Sequence, residues 1–404
     1  MSDVGNNLPQ GDGPLILTIN GGSSSIKFAL FTLTDPPRRT LHGQIERIGQ
    51  PGSQLTSKGE SGSADEIQPI DAGTYRHAAE NLVKYLRERL GKAVIIGIGH
   101  RVVHGGIHLL DHQIVTPELI AELRRTQPLD LAHLPREISL IETFRDSFPA
   151  AVQVACFDTA FHRDLPRVAA MLPIPRHYHD EGIRRFGFHG LSFTYLIKRL
   201  AEIAGKNVAD GKVILAHLGS GASMAAVKGG KPIDTTMSFT PIAGLVMGTR
   251  PGDLDPGLLV YLMRVEKLSP DQMDEFISRK CGLLGISETS FDMRDLLQRR
   301  SKDERAADAV DIFCYQAKKF VAAFAGAMGG LDTLVFSGGI GENSPEARAG
   351  ICDGLSYMGI KIDSDRNATN ADIISSDDSA VTVRRIVTDE EIVIAQAVQG
   401  FVKK

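Results

Sequence analysis

The stretch LTINGGSSSIKFAL, Leu17–Leu30, sets two glycines and three serines in a row between two apolar runs. Gly and Ser runs on their own behave as solvated coil, and a linker is the bland reading. The flanks read otherwise. PLILTI before the turn is apolar and β-branched, and IKFALF after it resumes that character with Ile26, Phe28 and Leu30 on alternate positions. That is strand periodicity, so the stretch predicts strand, tight turn, strand.

The pattern recurs further along the chain. LILTINGGSSSIKFA (Leu15–Ala29) aligns without a gap on VILAHLGSGASMAAV (Val213–Val227), matching Ile16, Leu17, Gly21 and Ser25 to Ile214, Leu215, Gly219 and Ser223. The simplest account is a duplicated domain with one hairpin in each half, the two turns facing each other across a cleft. A chain of 404 residues is long for one core and agrees with two domains.

Helical and strand patterns alternate elsewhere, as α/β architecture requires. Helices are expected over TYRHAAENLVKYLRERLG, TPELIAELRRTQ, LSFTYLIKRLAEIAG and DAVDIFCYQAKKFVAAFAGAMGG, and strands over AVIIGIG, AVQVACF, KVILAHLG, DTLVFSGG and AVTVRRIV. The polar segment Gly49–Glu66 reads as an exposed loop or hairpin tip.

A net charge of -4 with dispersed Lys and Arg offers no basic field for nucleic acid. No apolar run approaches the ~20 residues of a membrane span, and MSDVGNNLPQGDG lacks the basic start and apolar core of a signal peptide. A cytoplasmic protein with a frayed tail is expected. Cys156, Cys281, Cys314 and Cys352 form no C-x-x-C pair and read as reduced core residues.

Two turns rich in Gly and Ser can offer backbone N–H groups and hydroxyls to a polyphosphate. Lys27 follows the first turn and supplies a point charge; a Walker-type P-loop is excluded because no G-x-x-x-x-G-K-[ST] run exists. A third glycine loop, SGGIGEN (Ser337–Asn343), follows the strand DTLVF, where a nucleotide could be wrapped. Arg101 in GIGHRVVHGG and Arg250 in MGTRPGDLDPG sit in glycine-rich loops, where a guanidinium fork can pair with carboxylate or phosphate. Asp158 ends a strand in ACFDTAFH, with His162 after it, and His189 lies between glycines in RRFGFHGLSF. Asp158 reads equally as a Mg²⁺ or base carboxylate and as an N-cap, and His189 as a donor or a satisfied half-buried histidine. His100, His104 and His108 recur every fourth residue, but Gly105 and Gly106 argue against the helix a zinc site would need.

Together these residues resemble the acetate kinase family, within the actin, sugar kinase and Hsp70 superfamily. The resemblance runs from Leu15 to about Ala397 through NGGSSSIKF, GHRVVHGG, FDTAFH, FGFHG, HLGSGAS, MGTRPGDLDP, GGIGENS and TDEEIVIA. It implies an α/β fold of two duplicated actin-like (ribonuclease H-like) domains with a nucleotide cleft between them. The implied division is a tail over 1–13, an N-terminal domain over 14–160 plus 390–404, and a C-terminal domain over 161–389. It also implies reversible transfer of the γ-phosphoryl of ATP to acetate, with Mg²⁺ or Mn²⁺ as cofactor, ATP/ADP as co-substrate and a homodimeric assembly.

By the same resemblance Asn20 and Glu390 look like the Mg²⁺-associated positions, Lys27 like a phosphate contact and Arg101 like the arginine for the substrate carboxylate. Asp158, His189 and Arg250 resemble the catalytic positions. The nucleotide loops would be His217, Leu218, Gly219, Ser220 and Gly221; Asp292, Met293 and Arg294; and Gly339, Ile340, Gly341, Glu342 and Asn343. A carboxylic acid of pKa roughly 4 to 5 is already ionised at pH 7, so Asp158 is expected to orient an arginine or a Mg²⁺-bound water rather than to accept a proton.

The chain departs from the family pattern in three places. LAHLPRE keeps His133 and Pro135 but puts Ala132 and Leu134 around them, Phe193 stands where a histidine is common, and Ser220 replaces an asparagine. Acetate is the default acceptor, with propionate or butyrate open, since one methylene changes binding by only ~1 to 3 kcal/mol. A sugar kinase and a nucleotide-gated binding module are the rival readings.

Overall fold

The computed structural model describes residues 13–22, 24–59, 66–131 and 133–403. Residues 1–12 of the tail expected over 1–13, Ser23 of the opening turn, residues 60–65 of the polar segment, and Ala132 lie outside the described residues. Two compact units form: one contains the chain up to Ala160 and again from Asp389, the other is Phe161–Thr388.

The first unit is built on strands β1 (Pro14–Gly21), β2 (Ile26–Thr32), β3 (Arg39–Glu46), β4 (Gln54–Gly59), β5 (Glu66–Pro69), β6 (Val94–Val102), β7 (Gln113–Ile114) and β8 (Val152–Phe157). Their order in the sheet is β5-β4-β3-β2-β1-β6-β8-β7. The opening stretch is the antiparallel hairpin β1–β2, with Asn20 opposite Lys27 and Gly21 opposite Ile26. Leu17, Ile19, Ile26, Phe28 and Leu30 face a core completed by Leu82 and Leu86 of the helix Tyr75–Leu90 and by Phe144 of the helix Leu134–Ser147.

The helix Glu390–Val402 packs on β1, β6 and β8. Two glycines of β6 allow it to approach: a Cβ on Gly99 would stand 2.2 Å from Ile394 Cγ2, and one on Gly97 2.5 Å from Val398 Cγ1. With both faces covered, β1 is apolar nearly throughout, as buried parallel strands are.

The polar segment differs from its expectation. Residues 54–59 are not loop but strand β4, which pairs with β3 and buries Leu55 and Ser57. Only one large apolar side chain faces inward there, so the strand left little mark in the sequence.

The second unit carries β9 (Lys212–Leu218), β10 (Ala222–Lys228), β11 (Lys231–Thr235), β12 (Thr333–Ser337) and β13 (Thr382–Arg385), in the order β11-β10-β9-β12-β13. The pairings are antiparallel for β11–β10 and β10–β9, and parallel for β9–β12 and β12–β13. In the first unit, β3–β2–β1–β6–β8 repeats this arrangement strand for strand. Each is the central sheet of an actin-like, ribonuclease H-like domain. One face of the second sheet packs on Phe193, Leu196 and Leu200 of the helix Gly190–Ala204.

The gapless alignment of the two hairpins holds for their first strands only. Gly21 pairs with Ile26 around residues 22–25, whereas Leu218 pairs with Ala222 around 219–221. The turns differ in length, and the match of Ser25 to Ser223 has no structural counterpart. Among the described residues no helix is long and apolar enough to cross a membrane.

Candidate functional site

In the first unit the opening turn is pinned rather than loose. Gly22 N donates to Ser25 O (2.8 Å), Ile48 N donates to Ser24 O (3.0 Å), and the Tyr75 hydroxyl reaches Gly22 O and Ser25 O. Ordering the turn fixes where its N–H groups point, which a flexible run could not do.

Beside this turn four expected site residues meet. Asn20 Nδ2 donates to Glu390 Oε2 at 2.9 Å. Arg101, at the end of β6, donates from Nε (3.1 Å) and Nη2 (2.6 Å) to Asp158 Oδ2, and from Nη1 to Asn20 Oδ1 and Gly21 O, both at 3.4 Å. Glu390 Oε2 lies 4.0 Å from Arg101 Nε. Asp158 follows β8 directly, its N–H bonded to Val102 O of β6, so both partners stand on the edge of one parallel strand pair. The Asp158 side chain is 1% exposed and that of Arg101 14%. Glu390 opens its helix behind the N-cap Asp389, where the helix dipole favours a carboxylate.

Lys27 lies on the same face of the sheet as Asn20, its cross-strand partner, but is not part of this contact group. It lines a cavity of about 360 Å³ with Arg39, Gln44, Lys58 and Glu391. Burial and the neighbouring carboxylates of Glu390 and Asp389 push Glu391 up to about 7 against the pull of Lys27 and Arg39. His133 precedes the helix Leu134–Ser147 and pairs through Nδ1 with Asp130 at 2.9 Å, while Leu134 is fully buried in the core. His100 is a buried strand residue bonded to Gln153, and burial pushes it down to about 4.

In the second unit His189 sits at φ 57°, ψ 27° immediately before the helix Gly190–Ala204. Its Nδ1 is 2.8 Å from Ser223 Oγ, and its ring lies 4.4 Å from that of His217. His217 Nδ1 meets Ser192 Oγ (2.8 Å), which also meets Thr388 Oγ1 (2.8 Å). The turn 219–221 is closed by Gly219 N donating to Gly221 O (3.0 Å), and Ser220 O accepts from Gly248 N (3.0 Å) in the Arg250 loop. A Cβ on Gly221 would stand 2.7 Å from Arg250 Nη2 and 3.3 Å from His189 Nε2. His189 and Arg250 therefore converge over Gly221, where the absence of a side chain makes room for them.

Two further segments flank that point. A Cβ on Gly248 would stand 3.4 Å from Ser220 O and 3.3 Å from Phe291 O, which leads into Asp292. Asp292 caps the helix Met293–Arg299 by accepting from Arg294 N (2.9 Å) and pairs with the Arg294 guanidinium at 2.6 Å; Met293 is buried. SGGIGEN is not an open glycine loop: Gly338–Asn343 is a short helix. Glu342 Oε1 accepts from Gly338 N (2.9 Å), Ser337 Oγ (3.2 Å) and Thr388 N (3.0 Å), and Asn343 Nδ2 donates to Gly339 O (3.0 Å). Both side chains are thus engaged with backbone, and Gly339 and Asn343 are the exposed positions of the segment.

Phe193 is fully buried, packed on Phe161 and His162. The His162 Nε2–H donates to Phe188 O at 3.0 Å and so braces the segment before His189; burial pushes this histidine down to about 4. Two participants carried no motif in the sequence: Tyr75, whose partners lie some fifty residues away, and Glu137, whose carboxylate accepts from Val103 N.

A model of the acetokinase family matches residues 15–396. The acetate kinase of Rhodopseudomonas palustris (strain TIE-1) is 41% identical over 391 residues, covering 95% of this chain and 97% of that protein. The propionate kinase of Citrobacter rodentium (strain ICC168) is 41% identical over 390 residues, covering 95% and 96%. The crystal structure of Porphyromonas gingivalis acetate kinase superposes with a TM-score of 0.85 at 36% identity, covering 97% of this chain and all of that one.

Proposed function

The chain belongs to the acetokinase family, and from that premise we propose that it reversibly transfers the γ-phosphoryl group of ATP to acetate, giving acetyl phosphate and ADP. The observation that carries this reading is Arg101, a nearly buried guanidinium at the end of β6, held by Asp158 beside Asn20 and the glycine turn. A fixed guanidinium fork suits an anionic acceptor and offsets its repulsion from the phosphates.

In this reading a carboxylate oxygen of acetate bonds to the γ-phosphorus as the bond to the bridging oxygen breaks and ADP leaves. No proton moves, because the acceptor is already ionised. Asp158 orients Arg101. Ser223 donating to His189 Nδ1 would keep the ring proton on Nε2, the atom that converges with Arg250 over Gly221. These two donors would neutralise charge on the equatorial oxygens. Lys27 would meet phosphate from the far side of Asn20. The segments 217–221, 292–294 and 339–343 would hold the nucleotide, the last chiefly through its backbone.

The oxygen donors of Asn20 and Glu390 fit a hard ion such as Mg²⁺. Among the described residues no group of three or more His, Cys, Asp and Glu forms a complete metal cage, so such an ion would share its shell with phosphate and water. When bound, it supplies charge neutralisation on the transferred group. A homodimer is supported by the helix Pro256–Val265, which buries none of its residues and exposes Leu258, Val260, Tyr261 and Val265. The family reading carries a cytoplasmic location with it.

Trapping the acyl phosphate with hydroxylamine in the presence of Mg-ATP and acetate, propionate, butyrate or glucose tests the reading. Hydroxamate from acetate is expected. A larger yield from propionate would favour the second reading, motivated by the similarity to a propionate kinase; ADP release with glucose, read by a coupled assay, and no hydroxamate from any carboxylate would sink both.

A further inference from the structure

His162, in the short turn that opens the second unit, is fully buried. Its ring lies edge-on to Phe161, with 5.1 Å between centroids, and to Phe193, with 5.7 Å. Nε2 is 3.0 Å from Phe188 O, while Nδ1 is buried and makes no hydrogen bond among the described residues. A carbonyl can only accept, so the ring proton is on Nε2. A phenylalanine or leucine would fill this apolar slot without leaving a desolvated nitrogen. What the histidine adds is that single donor.

The bond falls on a particular peptide unit. Phe188 O and the His189 N–H belong to one planar group, so holding the oxygen fixes the rotation of that plane and with it φ of His189. That angle is 57°, in the left-handed region that few residues with a side chain adopt and that persists where the surroundings hold it. The plane on the other side is held too, since His189 O accepts from Phe193 N at 3.0 Å. Room is kept for the brace at Gly187, where a Cβ would stand 2.5 Å from His162 Cδ2. With both planes fixed and Nδ1 bonded to Ser223, the His189 ring has one direction, toward Gly221 and Arg250.

We propose that His162 is a positioning residue for phosphoryl transfer: through Phe188 O it holds the backbone of His189 in the left-handed conformation that aims the imidazole at the transferred group. This rests on the reading of His189 as a donor to that group. Burial pushes His162 down to about 4, so its ring is neutral at pH 7 and keeps the proton on Nε2. Without the brace the 188–189 plane turns toward a relaxed angle and carries His189 away from Arg250. Because the lost interaction belongs to the transition state, the effect falls on kcat rather than on substrate binding.

Three substitutions test it by steady-state kinetics with Mg-ATP and acetate, on proteins whose circular dichroism matches that of the unaltered chain. His162→Gln keeps an N–H donor as many bonds from the backbone as Nε2, His162→Asn ends one bond short, and His162→Phe fills the slot with no donor. In His162→Asn and His162→Phe, kcat is expected to fall about 10- to 100-fold while KM for ATP and acetate moves less than about twofold. In His162→Gln, kcat is expected to stay within about threefold of normal, a rescue that loss of packing does not produce. Ordinary kcat in His162→Phe, an equal loss in His162→Gln, or a loss carried by KM overturns the proposal. The unaltered protein gives a test that needs no variant to fold. Long-range proton–nitrogen NMR correlation is expected to place the His162 proton on Nε2 at pH 7, and a proton on Nδ1 or a charged ring overturns the proposal. His189→Ala separates the premise: ordinary kcat in that variant would remove His189 from the reaction whatever His162 does.

Discussion

Asp158 takes two N–H bonds from Arg101 on a single carboxylate oxygen, and both side chains are largely withdrawn from water. Replacing one member of a buried pair leaves the other charge uncompensated, at a cost of roughly 3 to 5 kcal/mol. The residual exposure of Arg101 and its contacts with Asn20 and Gly21 put Asp158→Asn at the lower end, about 3 kcal/mol, readable by urea denaturation. The same change frees the guanidinium to swing, and kcat/KM for acetate is expected to fall about 100-fold. A variant with ordinary acetate kinetics would remove Asp158 from the orienting role. Arg101 and Asp158 were legible in the sequence because each follows an apolar run that reads as a buried strand. Tyr75 and Glu137 were not, since their roles arise from contacts with backbone 53 and 34 residues away that no local pattern encodes.

At the scale of single elements, the turn 219–221 is where chemistry and backbone are most tightly coupled. Arg250 Nη1 donates to Pro241 O, so its guanidinium cannot simply retreat from a new methyl group on residue 221. Gly221→Ala is expected to cost about 1 to 3 kcal/mol in thermal melts, because the methyl group crowds a guanidinium that is held in place, and to lower kcat about 100-fold by displacing Arg250 and His189. Ordinary turnover would mean the two donors do not act at this point. Both hairpins were legible from apolar runs around Gly and Ser turns. The offset between their second strands was not: Leu218 is aligned on Asn20, yet Asn20 pairs with Lys27 while Leu218 pairs with Ala222, the counterpart of Ser24, so the second strand is shifted by three residues that no local pattern encodes. SGGIGEN read as a loop because its helix is held by Glu342 accepting from Gly338 N, the Ser337 hydroxyl and Thr388 N, not by helix-favouring residues.

For the whole molecule, the two matching sheets were legible because a buried central hairpin leaves nearly the same sequence pattern in each half. The exposed apolar helix Pro256–Val265 was not, since its run PGLLVYLMRV looks like core until its surroundings are known. Tyr261 is 59% exposed and Val260 46%. If that face joins two copies, Tyr261→Glu combined with Val260→Asp should halve the mass in sedimentation at micromolar concentration. An unchanged mass would move the interface elsewhere. One further consequence follows from the helix that closes against Gly97 and Gly99. Its residues follow Phe161–Thr388 in the chain, so that stretch leaves the ribosome before them. Order of synthesis and order of completion are therefore reversed: the half that is made first must wait, with one side of its sheet uncovered, until the helix that follows the second half has been translated.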